Sequence, residues 1–199
     1  MAAITTEIIK ELRVKTGAGI MDCKEALAES KGDIEQSIVY LRKKGLATAE
    51  KRAGKATSEG CIQSYIHLGG KIGAMVEVNC ETDFVAKTED MATFVKNLAM
   101  HVVAANPVGV SSEDISEEMV NKERDIYRVQ AAETGKPANV IEKIIDGKIK
   151  KFYKDNCLLE QQYVKDPNIT ISDLINDMIT KTGEKITIKR FARFQIGEK

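Results

Sequence analysis

The spacing of apolar and polar positions changes several times along the chain. Over the first 45 residues it is helical. Thr5 or Thr6 can cap a first helix with Glu7 in its first turn and a stripe of Ile8, Ile9 and Leu12, and Thr16-Gly17-Ala18-Gly19 stops it. A second helix runs from about Ile20 to Ser30, buries some of Ile20, Cys23 and Leu27, and ends at Lys31-Gly32. Asp33 followed by Gln36 has capping-box spacing for a third, with Ile34, Ile38 and Leu41 on one face and Gly45 beyond its end. So small a three-helix unit, residues 1–45, has little core of its own and suits docking better than catalysis. Residues 46–57 carry no strong stripe and read as a linker or an exposed helix.

From residue 58 onward the texture changes. Ile62, Ile66 and Leu68 alternate before Gly69-Gly70, and Ile72, Ala74, Val76 and Val78 alternate after it, which predicts a β-hairpin with a primed turn. Helical spacing returns at Met91, Phe94, Val95, Leu98 and Val102 and stops before Pro107. Ser116 opens a helix reaching about Thr134, closed by Gly135-Lys136-Pro137, and Ile141, Ile145, Ile149 and Phe152 mark the most amphipathic helix of the chain. Asp166-Pro167 signals a turn, Ser172 can cap a short helix through Ile179, and Ile186, Ile188, Ala192, Phe194 and Ile196 alternate as a last strand. The expected class is α+β: an N-terminal three-helix domain, then a core over residues 58–199 in which a small antiparallel sheet packs with helices.

Composition narrows the function. Thirty Lys and Arg balance 30 Asp and Glu, so the net charge is zero, against the strongly basic balance of a duplex-coating protein. No stretch approaches the ~18 consecutive apolar residues of a membrane span. Met1-Ala2-Ala3-Ile4-Thr5 has neither a basic nor an apolar signal region. Cys23, Cys61, Cys80 and Cys157 are dispersed without a CxxC pair, so neither a zinc site nor a disulfide framework is expected and a cytoplasmic location is.

Candidate chemistry is sparse. There is no phosphate-binding glycine motif, no GxSxG elbow and no HExxH, and there are two histidines, His67 and His101. A Cys80–His101 dyad is conceivable but lacks an orienting third group, and an inert core cysteine is the simpler account. His101 alone reads as a packed or hydrogen-bonded histidine before it reads as a functional one. Segment 81–87, Glu-Thr-Asp-Phe-Val-Ala-Lys, is a connection with a large ring at its centre. Two readings of it are open: Thr82 or Asp83 caps the next helix and Phe84 staples it to the sheet, or the loop presents Phe84 to a partner pocket with Asp83 shaping it. Ile20-Met21 is open in the same way, as core or as an adaptable contact. Lys148, Lys150, Lys151 and Lys154 read as a solvated helix face, with RNA contact, joined by Lys43, Lys44, Lys51 and Arg52, as the competing idea.

The stretch from Thr16 to Leu27, TGAGIMDCKEAL, resembles the N-terminal signature of the elongation factor Ts family, with Ile20 and Glu25 in place of the commoner Met and Lys. Asn79 to Lys87, NCETDFVAK, resembles its second signature, with Glu81 where Gln is frequent. Ala99-Met100-His101, Gly135-Lys136-Pro137, Lys150-Lys151-Phe152 and the C-terminal RFQIGEK from Arg193 extend the resemblance over the whole chain. Longer members carry two core subdomains, a helical arm and a C-terminal module, whereas residues 55–199 hold about one core unit, so the chain resembles the short form that pairs as a homodimer.

The resemblance implies a guanine-nucleotide exchange factor for GDP-bound elongation factor Tu, without covalent chemistry, cofactor or metal of its own and without direct nucleic-acid binding. It implies that residues 1–45 are a ubiquitin-associated (UBA)-like domain docking on the partner's GTPase domain, partly through Ile20 and Met21. It further implies that the Thr82-Asp83-Phe84-Val85 loop disturbs the partner's Mg²⁺ and phosphate site, with Phe84 as a wedge, Asp83 beside it and His101 at the same surface. Tyr163 and Val164 match residues used against another part of the partner, while Lys165 departs from an apolar residue seen there.

Overall fold

A computed structural model of the chain describes residues 4–133 and 135–198; Met1–Ala3, the expected helix end at Thr134, and Lys199 of the C-terminal motif lie outside them. The described residues form eight α-helices and a small antiparallel sheet, an α+β fold with a helical N-terminal region. The chain divides into two units: the first takes Met1–Gln63, Val76–Lys96 and Ser172–Lys189, the second Ser64–Met75, Asn97–Ile171 and Arg190–Lys199.

In the first unit, α1 (Thr6–Thr16), α2 (Ile20–Glu29) and α3 (Ile34–Arg52) follow the caps written in the sequence. Thr5 accepts a hydrogen bond from the Ile8 amide and Asp33 one from the Gln36 amide, while left-handed Gly17 (φ 69°) closes α1 onto Arg13 O. Leu12, Ala18, Cys23, Ala26, Leu27 and Leu41 form their core, flanked by Ile8, Ile9, Ile34, Ile38 and Tyr40. The third helix does not stop at Gly45 but continues to Arg52. Gly45 is buried inside it, and a Cβ there would overlap Thr180 Oγ1 and lie 3.1 Å from Asn176 O, both on α8 (Ile171–Thr182). That glycine permits close helix approach rather than ending a helix. Helix α8 starts at Ile171, so Ser172 sits within its first turn and not at its cap.

Strands β1 (Glu59–Ile66), β2 (Ile72–Cys80) and β5 (Thr187–Gln195) form a sheet in the order β1-β2-β5 and contribute residues to both units. The hairpin lies where expected, but its turn differs. The Gly70 amide donates to His67 O at 3.0 Å around Leu68-Gly69, and of that central pair only Gly69 has a positive φ, 89°. An unprimed turn of the type II kind has this pattern, because only its second central residue must be left-handed. After β2 come the single turn α4 (Asp83–Ala86) and α5 (Glu89–Ala105), on which Met91, Phe94, Val95, Leu98 and Val102 are all buried.

In the second unit, α6 (Glu117–Ala132) and α7 (Ala138–Asn156) pack as a helical hairpin over Ala131, Ile145 and Ile149. Ser116 caps α6 through the Met119 amide, as expected. Lys148 is not simply solvated: its ammonium sits 5.1 Å above the Tyr127 ring and bonds Gln130 Oε1 at 2.5 Å. Beyond α7, β3 (Gln162–Tyr163) pairs antiparallel with β4 (Asp166–Thr170), with Tyr163 opposite Asp166, so Val164-Lys165 is the tip of a two-residue hairpin. Asp166-Pro167 therefore opens a strand just after a turn. No helix among the described residues is long and apolar enough to cross a membrane.

Candidate functional site

The segment between β2 and α5 is built from its backbone outward. Thr82 caps α4, its Oγ1 accepting from the Val85 amide at 3.4 Å. The same hydroxyl donates to Glu184 Oε1 at 2.6 Å, while Glu184 Oε2 accepts from the Glu81 and Thr82 amides at 3.1 and 3.0 Å. Glu81 in turn accepts from the Lys185 amide at 2.7 Å, and both its carboxylate oxygens face Arg52 Nη1, at 2.8 and 2.7 Å. The Lys185 amide and then the Arg52 guanidinium hold the Glu81 carboxyl below its ordinary range. Lys185 Nζ donates to the carbonyls of Ala53 and Lys55, just past the end of α3.

On this base the four loop side chains take different roles. Val85 turns inward and is buried. Asp83 pairs with Lys87 one turn on, at 2.7 Å; both are exposed, and the lysine holds the Asp83 carboxyl below its ordinary range. Phe84 is 78% exposed, so the cap of the first reading is present but its staple to the sheet is not. A free-standing ring at a helical turn costs solvation in the isolated chain, and an apolar surface of that kind is suited to a partner pocket.

Two other predicted contacts also reach solvent. Ile20 is 53% and Met21 73% exposed at the start of α2, so neither is core. The helix carrying them is fixed to α3 by Lys44, which bridges Asp22 at 2.9 Å and Glu25 at 2.6 Å, and by Tyr40 OH donating to Glu25 at 2.7 Å. Glu25, one of the departures from the signature, is thus the centre of that brace. Val164 is half-exposed at the β3–β4 tip.

His101 lies differently from the others. It is fully buried on α5, its Nε2 3.0 Å from Gln161 Oε1 and its Nδ1 accepting from the Val164 amide at 3.3 Å, with the Tyr163 ring 6.1 Å away. The Gln161 amide group donates to Asp155 O and Ala105 O, which leaves its oxygen as the acceptor. The ring is therefore neutral with its proton on Nε2, and burial lowers its pKa. His101 reaches the surface only through the Val164 backbone it supports. Both its nitrogens are engaged, so it offers no base to a thiol. Cys80 is buried, donates to Thr82 O at 3.2 Å, and is pushed up to about 11 by burial and then by the Glu184 charge. That chemistry is opposite to an activated nucleophile. Lys44 and Arg52, named in the competing RNA reading, are committed to internal carboxylates.

Sequence reasoning missed Glu184, Arg52 and Gln161 as supports. The one readable signal for Glu184 was its place directly after Gly183, a glycine that ends α8.

The family model described as Elongation factor TS matches residues 4–198. An elongation factor Ts from Desulfosudis oleivorans is 59% identical over 198 residues, covering all of both chains. One from Caldanaerobacter subterraneus is 57% identical over 195 residues, 98% of each chain, and one from Moorella thermoacetica is 59% identical over 190 residues, 96% of this chain and 94% of that one.

Proposed function

The chain belongs to the elongation factor Ts family and so is a translation elongation factor, and we propose that it acts as a guanine-nucleotide exchange factor on GDP-bound elongation factor Tu. The observation that carries this reading is the exposed Phe84 on a loop whose backbone is already held. A Mg²⁺ held beside the partner's nucleotide would supply counter-charge to its phosphates, and displacing the groups that hold the ion would weaken nucleotide binding. Phe84 is the wedge that forces such a displacement, Asp83 contacts the partner beside it, and Thr82 and Val85 fix the turn. Residues 1–45 dock as a UBA-like module through Ile20 and Met21, and Val164, backed by His101, makes a separate contact.

No proton transfer or covalent intermediate is needed, so the chain works as an exchange factor and not as an enzyme. GTP then enters the emptied site by mass action. Exchange in this form obliges reciprocity: the factor by which this chain weakens GDP binding is the factor by which GDP weakens the chain's own binding. The protein acts in the cytoplasm, without nucleic acid as a direct ligand. Two copies pair through the exposed apolar residues Ile66, Met75 and Phe194 of the sheet and Ile196 just past β5.

Release of a fluorescent GDP analogue from purified elongation factor Tu tests the reading. Wild type accelerates release in proportion to its concentration, and Phe84→Ala, whose ring is mostly in solvent, folds normally but loses most of the acceleration. Equal release rates for the two chains would overturn the wedge.

A further inference from the structure

We propose that Glu184 is the positioning residue of the exchange loop: its carboxylate fixes the backbone at Glu81-Thr82 so that Phe84 is held outward. The inference rests on the exchange reading and adds a residue to it. Glu184 is some hundred positions from the loop in sequence, and its one carboxylate takes three hydrogen bonds from two consecutive residues, the Thr82 hydroxyl and the amides of Glu81 and Thr82. Hydrogen bonds to an ionised acceptor are about twice as strong as neutral ones. The Thr82 hydroxyl uses its proton on Glu184 and its oxygen on the Val85 amide, so the clamp and the α4 cap are one chain of bonds.

Glu184 is itself held in place. Left-handed Gly183 (φ 72°) ends α8 with its amide on Ile179 O, and the Glu184 amide donates to Thr182 Oγ1 at 3.3 Å. The next residue returns the bond, since the Lys185 amide donates to the Glu81 carboxylate while the Glu81 amide donates to Glu184. Two dipeptides, Glu81-Thr82 and Glu184-Lys185, are thus laced together in both directions. Arg52 at the end of α3 neutralises the second carboxylate of this pair. Within the loop Val85 is the inward residue, and a single buried valine on a four-residue helix does not fix the rotation of the turn that carries Phe84. The Glu184 clamp does.

The test uses the full chain as wild type, Glu184→Ala and Glu184→Gln, with two readouts. The first is amide hydrogen exchange at Glu81 and Thr82 in the free chain, which does not depend on elongation factor Tu. Both amides are slow in wild type and become fast in Glu184→Ala, while amides in the α1–α3 core are unchanged. The second is GDP release against factor concentration. Ordering one or two backbone residues on entering the partner costs about 10-fold to about 100-fold, so the maximal rate should fall by about that much in Glu184→Ala. The half-saturating concentration changes far less, because the Ile20-Met21 contact is untouched. Glu184→Gln keeps the size and one acceptor oxygen, and should fall between the two; it also serves if the alanine variant does not fold. Wild-type maximal rate in a folded Glu184→Ala, or unaltered protection at Glu81 and Thr82, would overturn the proposal. If wild type itself does not accelerate release, the exchange reading falls, and the amide protection alone still decides whether Glu184 holds the loop.

Discussion

Replacing Gly45 by alanine sets two opposed effects against each other. In an exposed helix interior, Gly→Ala gains about 1 kcal/mol, because alanine gives up less backbone freedom. Here the new methyl would overlap Thr180 Oγ1 and lie 3.1 Å from Asn176 O. Thr180 is β-branched, and its hydroxyl bonds Asn176 O at 2.8 Å, so rotating it away breaks that bond and brings its methyl group round instead. Overpacking of this kind costs about 1–3 kcal/mol. The sum is a loss of about 0–2 kcal/mol, and in a chain of this size each kcal/mol lowers the melting temperature by about 2–4 °C. Thr180→Ala removes the overlapping oxygen and leaves Cβ 3.5 Å away, an ordinary contact. The 3.1 Å approach to Asn176 O remains in that background, so Gly45→Ala should cost less there than in wild type without becoming strongly stabilising, giving a coupling of about 1 kcal/mol in a double-mutant cycle. Urea unfolding of the four chains measures it, with constant m-values as the check that one transition is compared. A stabilisation of wild type by about 1 kcal/mol on Gly45→Ala would refute the close α3–α8 approach.

Three further expectations follow from the burial and partners of single residues. With iodoacetamide at pH 8, half-buried Cys61 should be labelled before Cys80 and Cys157, both buried and pushed up to about 11; labelling of Cys80 at the rate of Cys61 would contradict the assignment. Burial lowers the His101 pKa below its ordinary value of 6.5, so the unfolded chain takes up a proton there before the folded one does. The stability due to neutral His101 is therefore complete above pH 6.5 and declines as the pH falls below it through the folded value; urea midpoints between pH 7 and 5.5 should show this slope in wild type and less of it in His101→Gln, and equal slopes refute it. Phe194 and Ile196 are 69% and 74% exposed, so Phe194→Asp should convert a sedimenting dimer to monomer, and a wild-type chain that sediments as a monomer refutes pairing through this face.

Local signals in the sequence were legible where local chemistry decides. Thr5, Asp33 and Ser116 cap the helices they were expected to cap, because an N-cap needs only its own side chain and an amide three residues on. Glycine was harder to read. Gly17 ends a helix by its positive φ, but Gly45, after an equally clear stripe, lies inside one because of a neighbour 135 positions away. Gly69-Gly70 located the hairpin without fixing its turn, since two adjacent glycines satisfy several turn types. His101 could not be placed from its surroundings on α5, because its two partners, Gln161 just before β3 and Val164 at the β3–β4 tip, lie about 60 positions further along the chain. For the candidate loop the cap at Thr82 was readable, while the direction of Phe84 was not. The cap is compatible with either orientation, and the carboxylate that distinguishes them sits beyond α8.

The distinction bears on how an exchange factor uses its binding energy. Ordering a backbone costs about 1–2 kcal/mol per residue, so a floppy four-residue loop would lose several kcal/mol on entering the partner. That loss would be subtracted from the differential affinity that drives GDP out, because a ligand shifts an equilibrium only by its preference for one state. Holding residues 82–85 beforehand moves the ordering cost into folding, where the Glu81, Thr82 and Glu184 bonds offset it. In the proposed exchange function the exposed ring then delivers its apolar burial to the nucleotide-releasing state. On this reasoning Phe84 sets how much the partner's site is disturbed, and Glu184 sets how much of that disturbance remains after ordering. Phe84→Ala and Glu184→Ala should therefore not add. Once the ring is gone there is little left for the clamp to aim, and a double variant releasing GDP much more slowly than Phe84→Ala would show that Glu184 acts by another route.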